Sequence, residues 1–154
     1  MILRPATADD RERLLALVRD ERVAAALSTV AGAALDDAIA AGEALVIADG
    51  DAVAGVLCWS VTNRRSRIAR IHTVAVDPAL QGRGLAVSAL RAAVRTLVDE
   101  HDVHRVEAEC YGFNTAARRA FAAAGFAEEG VRRSAYDRHG AWQDGIHLGL
   151  VAPS

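Results

Sequence analysis

The sequence predicts an α+β fold, and three observations carry that prediction. Two pairs of strand-like segments are each joined by a tight turn, at Asp49-Gly50-Asp51 and at Asp137-Arg138-His139-Gly140. Between them lies a strand–helix–strand unit whose helix opens on a glycine-rich loop. The 154 residues are 52% hydrophobic and 25% charged, which supports one core over residues 1–154 and is incompatible with a disordered chain. Antiparallel hairpins mixed with one strand–helix–strand unit belong to the α+β class rather than to a doubly wound parallel sheet.

Each element has a local reason. Residues 2–4 are a short apolar opening stopped by Pro5. Thr7 can cap the next segment, where Asp9 and Asp10 meet the positive end of a helix and Leu14, Leu17 and Val18 recur at helical spacing. Residues 20–43 are alanine-rich and read as one or two short helices broken near Gly32 and Gly42. Residues 44–48 and 53–61 form a hairpin around Gly50, which takes a positive φ without a Cβ clash. A third strand over 68–76 ends at Asp77-Pro78. Val87, Leu90, Val94, Leu97 and Val98 then mark one face of a long helix. A strand at 105–110 precedes a helix capped by Asn114, with Ala117, Ala120, Phe121 and Ala124 inward. Gly125 closes that helix and leaves Phe126 to make the apolar contact that follows such a cap. Strands at 131–136 and 146–151 complete the chain.

Several function classes are excluded or disfavoured. A net charge of −2 gives no general pull toward nucleic acid or anionic lipid. No apolar run approaches the roughly 20 residues of a membrane span. The opening residues lack the apolar stretch of a secretory signal, and two cysteines make no disulfide framework, so a cytoplasmic location is expected. Every basic residue other than histidine is arginine, which excludes lysine Schiff-base chemistry. His101 and His104 beside Asp99, Glu100 and Asp102 read as a solvated helix end rather than a metal site, and no metal is expected.

The chemistry is concentrated in Val74-Ala75-Val76-Asp77-Pro78-Ala79-Leu80-Gln81-Gly82-Arg83-Gly84-Leu85-Ala86. A helix start leaves several N–H groups without intrahelical partners, its dipole adds positive charge, and glycines let the main chain approach a bulky anion. A pyrophosphate suits such a site. No lysine follows the glycines, and the dinucleotide spacing of three glycines is absent.

Gln81-Gly82-Arg83-Gly84-Leu85-Ala86, following Val74-Ala75-Val76-Asp77-Pro78, resembles the acetyl-CoA signature of the GNAT superfamily of N-acetyltransferases. Glu109, Asn114, Ala117, Phe121 and Gly125-Phe126 resemble the family's later strand and helix. Gly130 through Tyr136, His139-Gly140 and Asp144 resemble the C-terminal hairpin of its ribosomal-protein and amino-acid acetyltransferase branches. The resemblance covers roughly residues 44–150. It implies a mixed, mostly antiparallel twisted sheet flanked by helices, the acyl-CoA N-acyltransferase fold. It also implies acetyl-CoA as co-substrate and a primary amine of a small molecule, amino acid or protein N-terminus as acceptor. It leaves a homodimer through the C-terminal strands open.

Residue by residue, the resemblance places the pantetheine arm along Val74, Ala75 and Val76. The pyrophosphate would lie on the amides of Gly82, Arg83, Gly84, Leu85 and Ala86, with Gln81 beside them. Asn114, Ala117 and Phe121 would face the cofactor from the later helix. Arg83 either reaches a phosphate or is solvated. Acyl transfer to an amine needs a neutral nucleophile, a donor to the thioester oxygen and an outlet for the thiolate. Glu109 is the expected base, with Glu107 on the same side of its strand as the second candidate. Each is also a natural ion-pair partner for an arginine. A backbone N–H near Val74 is the expected oxyanion donor. Many relatives carry tyrosine where this chain has Phe121; Tyr136, Tyr111, water or unassisted departure of the thiolate can replace it. His72 lies near the expected thioester and is equally at home as a structural histidine, and Cys110 reads as an inert thiol. Trp59 and Trp142 read as core or dimer-contact residues. The Phe121 departure keeps a second class open, a non-catalytic acyl-CoA-binding sensor on the same fold.

Overall fold

A computed structural model of the chain describes residues 1–25 and 32–153. Its centre is a seven-stranded sheet in the order β1-β2-β3-β4-β5-β7-β6. The strands are β1 (Ile2–Pro5), β2 (Ala44–Asp49), β3 (Ala52–Asn63), β4 (Ile68–Val76), β5 (Arg105–Tyr111), β6 (Ala127–Arg138) and β7 (Ala141–Val151). Every pairing is antiparallel except β4 with β5, which is parallel. The mixed, mostly antiparallel sheet expected from the sequence is the sheet that forms.

Helices cover both faces. On one side α4 (Leu85–His101) and α5 (Thr115–Ala123) pack Leu90, Ala93, Leu97 and Phe121 on Leu57, Ile71, Val106 and Leu148. On the other, α1 (Arg11–Arg19), α2 (Glu21–Ala24) and α3 (Gly32–Ala40) pack Leu14, Leu17, Val23 and Leu35 on Val46, Val56 and Ala75. No helix among the described residues is long and apolar enough to cross a membrane.

Local chemistry explains the boundaries. Asp10 accepts N–H groups from both terminal nitrogens of the Arg4 guanidinium at 2.8 Å and the Thr7 N–H at 2.9 Å, closing the turn at residues 8–10 that leads into α1. Gly50 turns the first hairpin at φ +60°, while His139 and Gly140 turn the last at +55° and +83°. Asn114 caps α5 by accepting the Ala117 N–H at 3.0 Å. Gly125 ends that helix at φ +102°, the Phe126 N–H returns to Phe121 O at 3.0 Å, and the two phenyl rings meet edge to face.

One expectation changes. The buried stripe of α4 is Leu85, Ala89, Leu90, Ala93 and Leu97; Val87, Val94 and Val98 are half-buried at its margins. Alanines share the buried centre with leucines, whereas apolar periodicity alone favours the bulkier residue. The short helices expected in residues 20–43 are α2 and α3: Gly32 begins α3 and Gly42, at φ +73°, follows its end, while residues 26–31 lie outside the described set. Of the two tryptophans, both expected as core or dimer-contact residues, Trp59 is in the core and Trp142 is exposed.

The feature that creates a site is the divergence of β4 from β5. Their ladder joins only Ile68, Ala69 and Arg70 to Arg105, Val106 and Glu107. Just beyond it, Thr73 faces Cys58 and Ile71 faces Trp59 across β3, leaving His72 as an extra, unmatched residue. Such a bulge bends its strand and increases local twist, and the two halves of the sheet part there.

Candidate active site

The parting of the strands opens a cleft of about 410 Å³ bounded by β4, β5 and the N-terminal ends of α4 and α5. Three sets of groups meet in it.

The first is the free edge of β4. The Asp77 N–H bonds Ala54 O across the β3 ladder at 2.7 Å. Antiparallel pairs alternate every second residue, so Ala75 and Thr73 also face β3, whereas the N–H and C=O of Val74 and Val76 point to the side that β5 has left. Gln81 donates its side-chain amide to Val76 O at 3.4 Å, tying the loop to that edge.

The second is the glycine loop. Gly82 and Gly84 sit at φ +83° and +72°, a conformation costly for residues with a Cβ, and open space surrounds both. Gly84 is the N-cap of α4 and its carbonyl accepts the first helical bond, from Ser88 N–H at 3.0 Å. The N–H groups of Gly82, Arg83, Gly84, Leu85, Ala86 and Val87 have no hydrogen-bond acceptor among the described residues. Consecutive free amides at the positive end of a 17-residue helix make a preformed anion cradle.

The third is a polar cluster around Glu109, whose side chain is only 9% exposed. Tyr136 donates its hydroxyl hydrogen to Glu109 Oε1 and accepts from Arg132 at 2.9 Å. Three basic groups face the other carboxylate oxygen: His147 Nδ1 at 3.5 Å, Arg132 at 3.7 Å and Arg70 at 3.8 Å. Burial, then the bond to Glu109, pushes the Tyr136 phenol above its ordinary value, so it stays protonated. His72 lines the cleft beside them; burial, then the neighbouring Arg70, lowers its imidazole, which is neutral at pH 7.

With this geometry in hand, comparison with known proteins is decisive for the family. Residues 16–126 match the family model described as the acetyltransferase (GNAT) family. The chain belongs to the GNAT family. A 78-residue stretch is 32% identical to the Bacillus subtilis (strain 168) protein named "Probable N-acetyltransferase YjcK"; it covers 51% of this chain and 43% of that relative, so the match spans less than half of the relative's length. Among solved structures, the fold is shared with spermidine N-acetyltransferase from Vibrio cholerae in complex with CoA and spermine. That match has a TM-score of 0.85 at 18% identity, over 97% of this chain and 94% of the other. It is also shared with ribosomal-protein-alanine N-acetyltransferase from Brucella melitensis, with a TM-score of 0.83 at 21% identity, over 99% and 100% of the two chains.

The GNAT-type residues singled out in the sequence are mostly, not entirely, brought together. Val74, Ala75, Val76, Gln81, Gly82, Gly84, Leu85, Ala86, Asn114, Ala117 and Phe121 all line the cleft, as do Glu109, Tyr111 and Tyr136. Arg83 does not: its guanidinium points to Asp49, 3.7 Å away, on the outer side of the loop. Glu107 shares the strand face of Glu109 but lies outside the cleft, held by Arg105 Nε at 2.9 Å. Cys110 lines the cleft, and burial pushes its thiol up to about 11, leaving it almost wholly protonated.

Two participants were not singled out for the site by the sequence. His147 is brought to Glu109 by the β5–β7 register, in which the two residues are directly opposite. Gly145 matters through its missing side chain, because a Cβ there would lie 2.6 Å from Glu109 Oε1 and 2.8 Å from the Tyr136 ring. The first signal is long-range pairing and the second is a void; neither has a local sequence signature.

Proposed function

We propose that this chain transfers an acetyl group from acetyl-CoA to a primary amine. The observation that carries the reading is the row of uncommitted amides at residues 82–87, at the mouth of a cleft that also holds Glu109. The donor set suits the co-substrate: helix-end amides for the pyrophosphate and the Val74 and Val76 edge for an extended amide-bearing arm. Acetyl-CoA supplies an activated acetyl group as its thioester.

The chain's own residues do the rest. Gly82, Gly84, Leu85 and Ala86 hold the diphosphate through main-chain N–H groups. Asn114, Ala117 and Phe121 wall the arm on the opposite side. The Val74 N–H, pointing away from β3, serves as donor to the thioester oxygen as negative charge builds. Glu109 takes the proton from the acceptor amine, directly or through one water. Tyr136 spends its O–H on Glu109, which makes it the group that positions the base. Phe121 has no proton to give, and a thiolate of ordinary thiol acidity, pKa about 8.5, leaves without help from the protein. The amine attacks directly in a ternary complex, since no nucleophile–base pair for an acyl-enzyme lines the cleft among the described residues. Glu107 and the side chain of Arg83 have no part in this reading. Neither dimerisation nor cellular location enters it.

The test is thiol release from acetyl-CoA with a panel of amines, amino acids and N-terminal peptides. Wild type should turn over with at least one acceptor, and Glu109→Gln should lower kcat by about 10²–10⁴ while CoA binding is retained. Full activity in Glu109→Gln would remove the base. CoA binding with no turnover on any acceptor would point to the acyl-CoA sensor.

A further inference from the structure

Most arginines near a carboxylate in this structure are hydrogen-bonded to it. Arg4 is paired in fork geometry with Asp10, Arg118 with Glu128, and Arg105 bridges Glu107 and Glu129. Arg70 is different. It lines the cleft, its side chain is 35% exposed, and its one ionic partner among the described residues is Glu109 at 3.8 Å, beyond hydrogen-bond reach. Its guanidinium makes no hydrogen bond among the described residues.

The balance of charge around it is also one-sided. Glu109 faces Arg70, Arg132 and His147, so one carboxylate answers two permanent cations and an imidazole. Part of Arg132 is committed to the Tyr136 hydroxyl. The carboxylates Asp37 and Glu43 belong to an adjoining cleft of about 450 Å³ that meets the first at His72 and Thr73. An excess of positive charge with spare planar donors therefore sits beside the group that would receive the amine's proton.

We infer that the acceptor carries a carboxylate on the carbon that bears its amine, and that Arg70 binds it; the acceptor class is then the free α-amino acids. This inference rests on the acetyl-transfer reading and names the substrate of that site. Glu109 and Arg70 are 3.8 Å apart. An amine and a carboxylate on one carbon can each reach its own partner across that gap at hydrogen-bond distances of about 2.8 Å. A polyamine would bring a second cation against Arg70 and Arg132 and leave the spare donors unanswered.

The experiment compares each of a set of amino acids with the amine left by removing its carboxylate, such as L-leucine with isoamylamine and L-phenylalanine with phenethylamine, with spermidine alongside. Turnover is measured with acetyl-CoA, and binding to the CoA-loaded protein by calorimetry. For the best pair, the amino acid should exceed its amine in kcat/KM by about ten- to a hundredfold, the effect of a charge-assisted contact. Arg70→Ala should erase that preference and the calorimetric signal, Arg70→Lys should restore part of it, and CoA affinity should be unchanged in both. Equal use of the amines, preference for spermidine, or equal losses on both members of a pair in Arg70→Ala would overturn the inference. If wild type shows no turnover, the acetyl-transfer reading fails separately. Binding of an amino acid abolished by Arg70→Ala would still support the site, and no binding of any amino acid would refute it.

Discussion

Replacing Gly145 by alanine should disable the base without touching the cofactor cradle. Its new Cβ would stand 2.6 Å from Glu109 Oε1 and 2.8 Å from the Tyr136 ring, against about 3.4 Å for ordinary contact. Both neighbours must retreat by about 0.6–0.8 Å to reach ordinary contact, and these are the two partners of the Tyr136–Glu109 hydrogen bond. Two costs follow. Overpacking a fixed backbone position costs about 1–3 kcal/mol of stability. Losing the Tyr136 bond to the Glu109 carboxylate removes an interaction with a charged group, of about 1.5–3 kcal/mol. If that bond holds the base in place, kcat falls by about ten- to a hundredfold, since 1.4 kcal/mol is a factor of ten. The KM for acetyl-CoA should not change, because Gly145 lies on β7, away from residues 82–87. The assay is steady-state thiol release at fixed acceptor, with a denaturation curve as control. Tyr136→Phe should show a similar kcat loss, losing the hydrogen bond of about 1.5–3 kcal/mol without the overpacking cost, and the double variant should be less than additive. Gly145→Ala at wild-type kcat, or a loss confined to the KM for acetyl-CoA, would refute the reasoning.

Other predictions are independent of the base. Asn114→Ala removes the acceptor of the Ala117 N–H and should cost about 1 kcal/mol, a drop of about 2–4 °C in Tm for a chain of this size. Asp10→Asn breaks a bidentate pair and should cost about 1.5–3 kcal/mol at pH 7 by urea unfolding. Arg4, more than any other group, holds the Asp10 carboxyl far below its ordinary 3.8, so that stability is present above pH 4 and is lost as pH falls toward the depressed value. The gap between wild type and Asp10→Asn should therefore narrow in acid; a constant gap would contradict the assignment. Cys58 and Cys110 are both pushed up to about 11 by burial, so a thiol reagent at pH 8 should label the folded protein slowly and find both thiols only in denaturant. Rapid labelling of either in the native state would show that it is not shielded as described.

Much of this molecule is written locally. The Asp49-Gly50-Asp51 turn, the Asn114 cap, the Gly125 terminus and the Gly82–Gly84 loop each depend on the conformational preferences of one or two residues. Those preferences survive folding unchanged. The buried face of α4 centres on Ala89 and Ala93 and leaves Val87 at its margin, a placement that apolar periodicity alone does not give. The site divides in the same way. Its cradle lies within one stretch of chain and was legible; its polar cluster is assembled from β4, β5, β6 and β7 and was legible only in part, chiefly as Glu109 and Tyr136. His147 arrives by strand register, Arg70 by the divergence of β4 from β5, and Gly145 by what it lacks. Glu107 and Glu109 share a strand face, and only tertiary packing gives Arg105 to the first and the cleft to the second. Arg83 was undecided in sequence because a residue between two left-handed glycines can turn either way; it turns toward Asp49.

The central claim is that the unpaired amides at 82–87 grip a diphosphate. An amide-resolved NMR titration with CoA, repeated with pantetheine, which lacks the diphosphate, addresses it directly. CoA should move the Gly82, Gly84, Leu85, Ala86 and Val87 N–H resonances together, and pantetheine should leave them in place while perturbing Val74 and Val76. If CoA binds and those five resonances stay where they are, or if pantetheine moves them equally, the cradle does not do what its geometry implies.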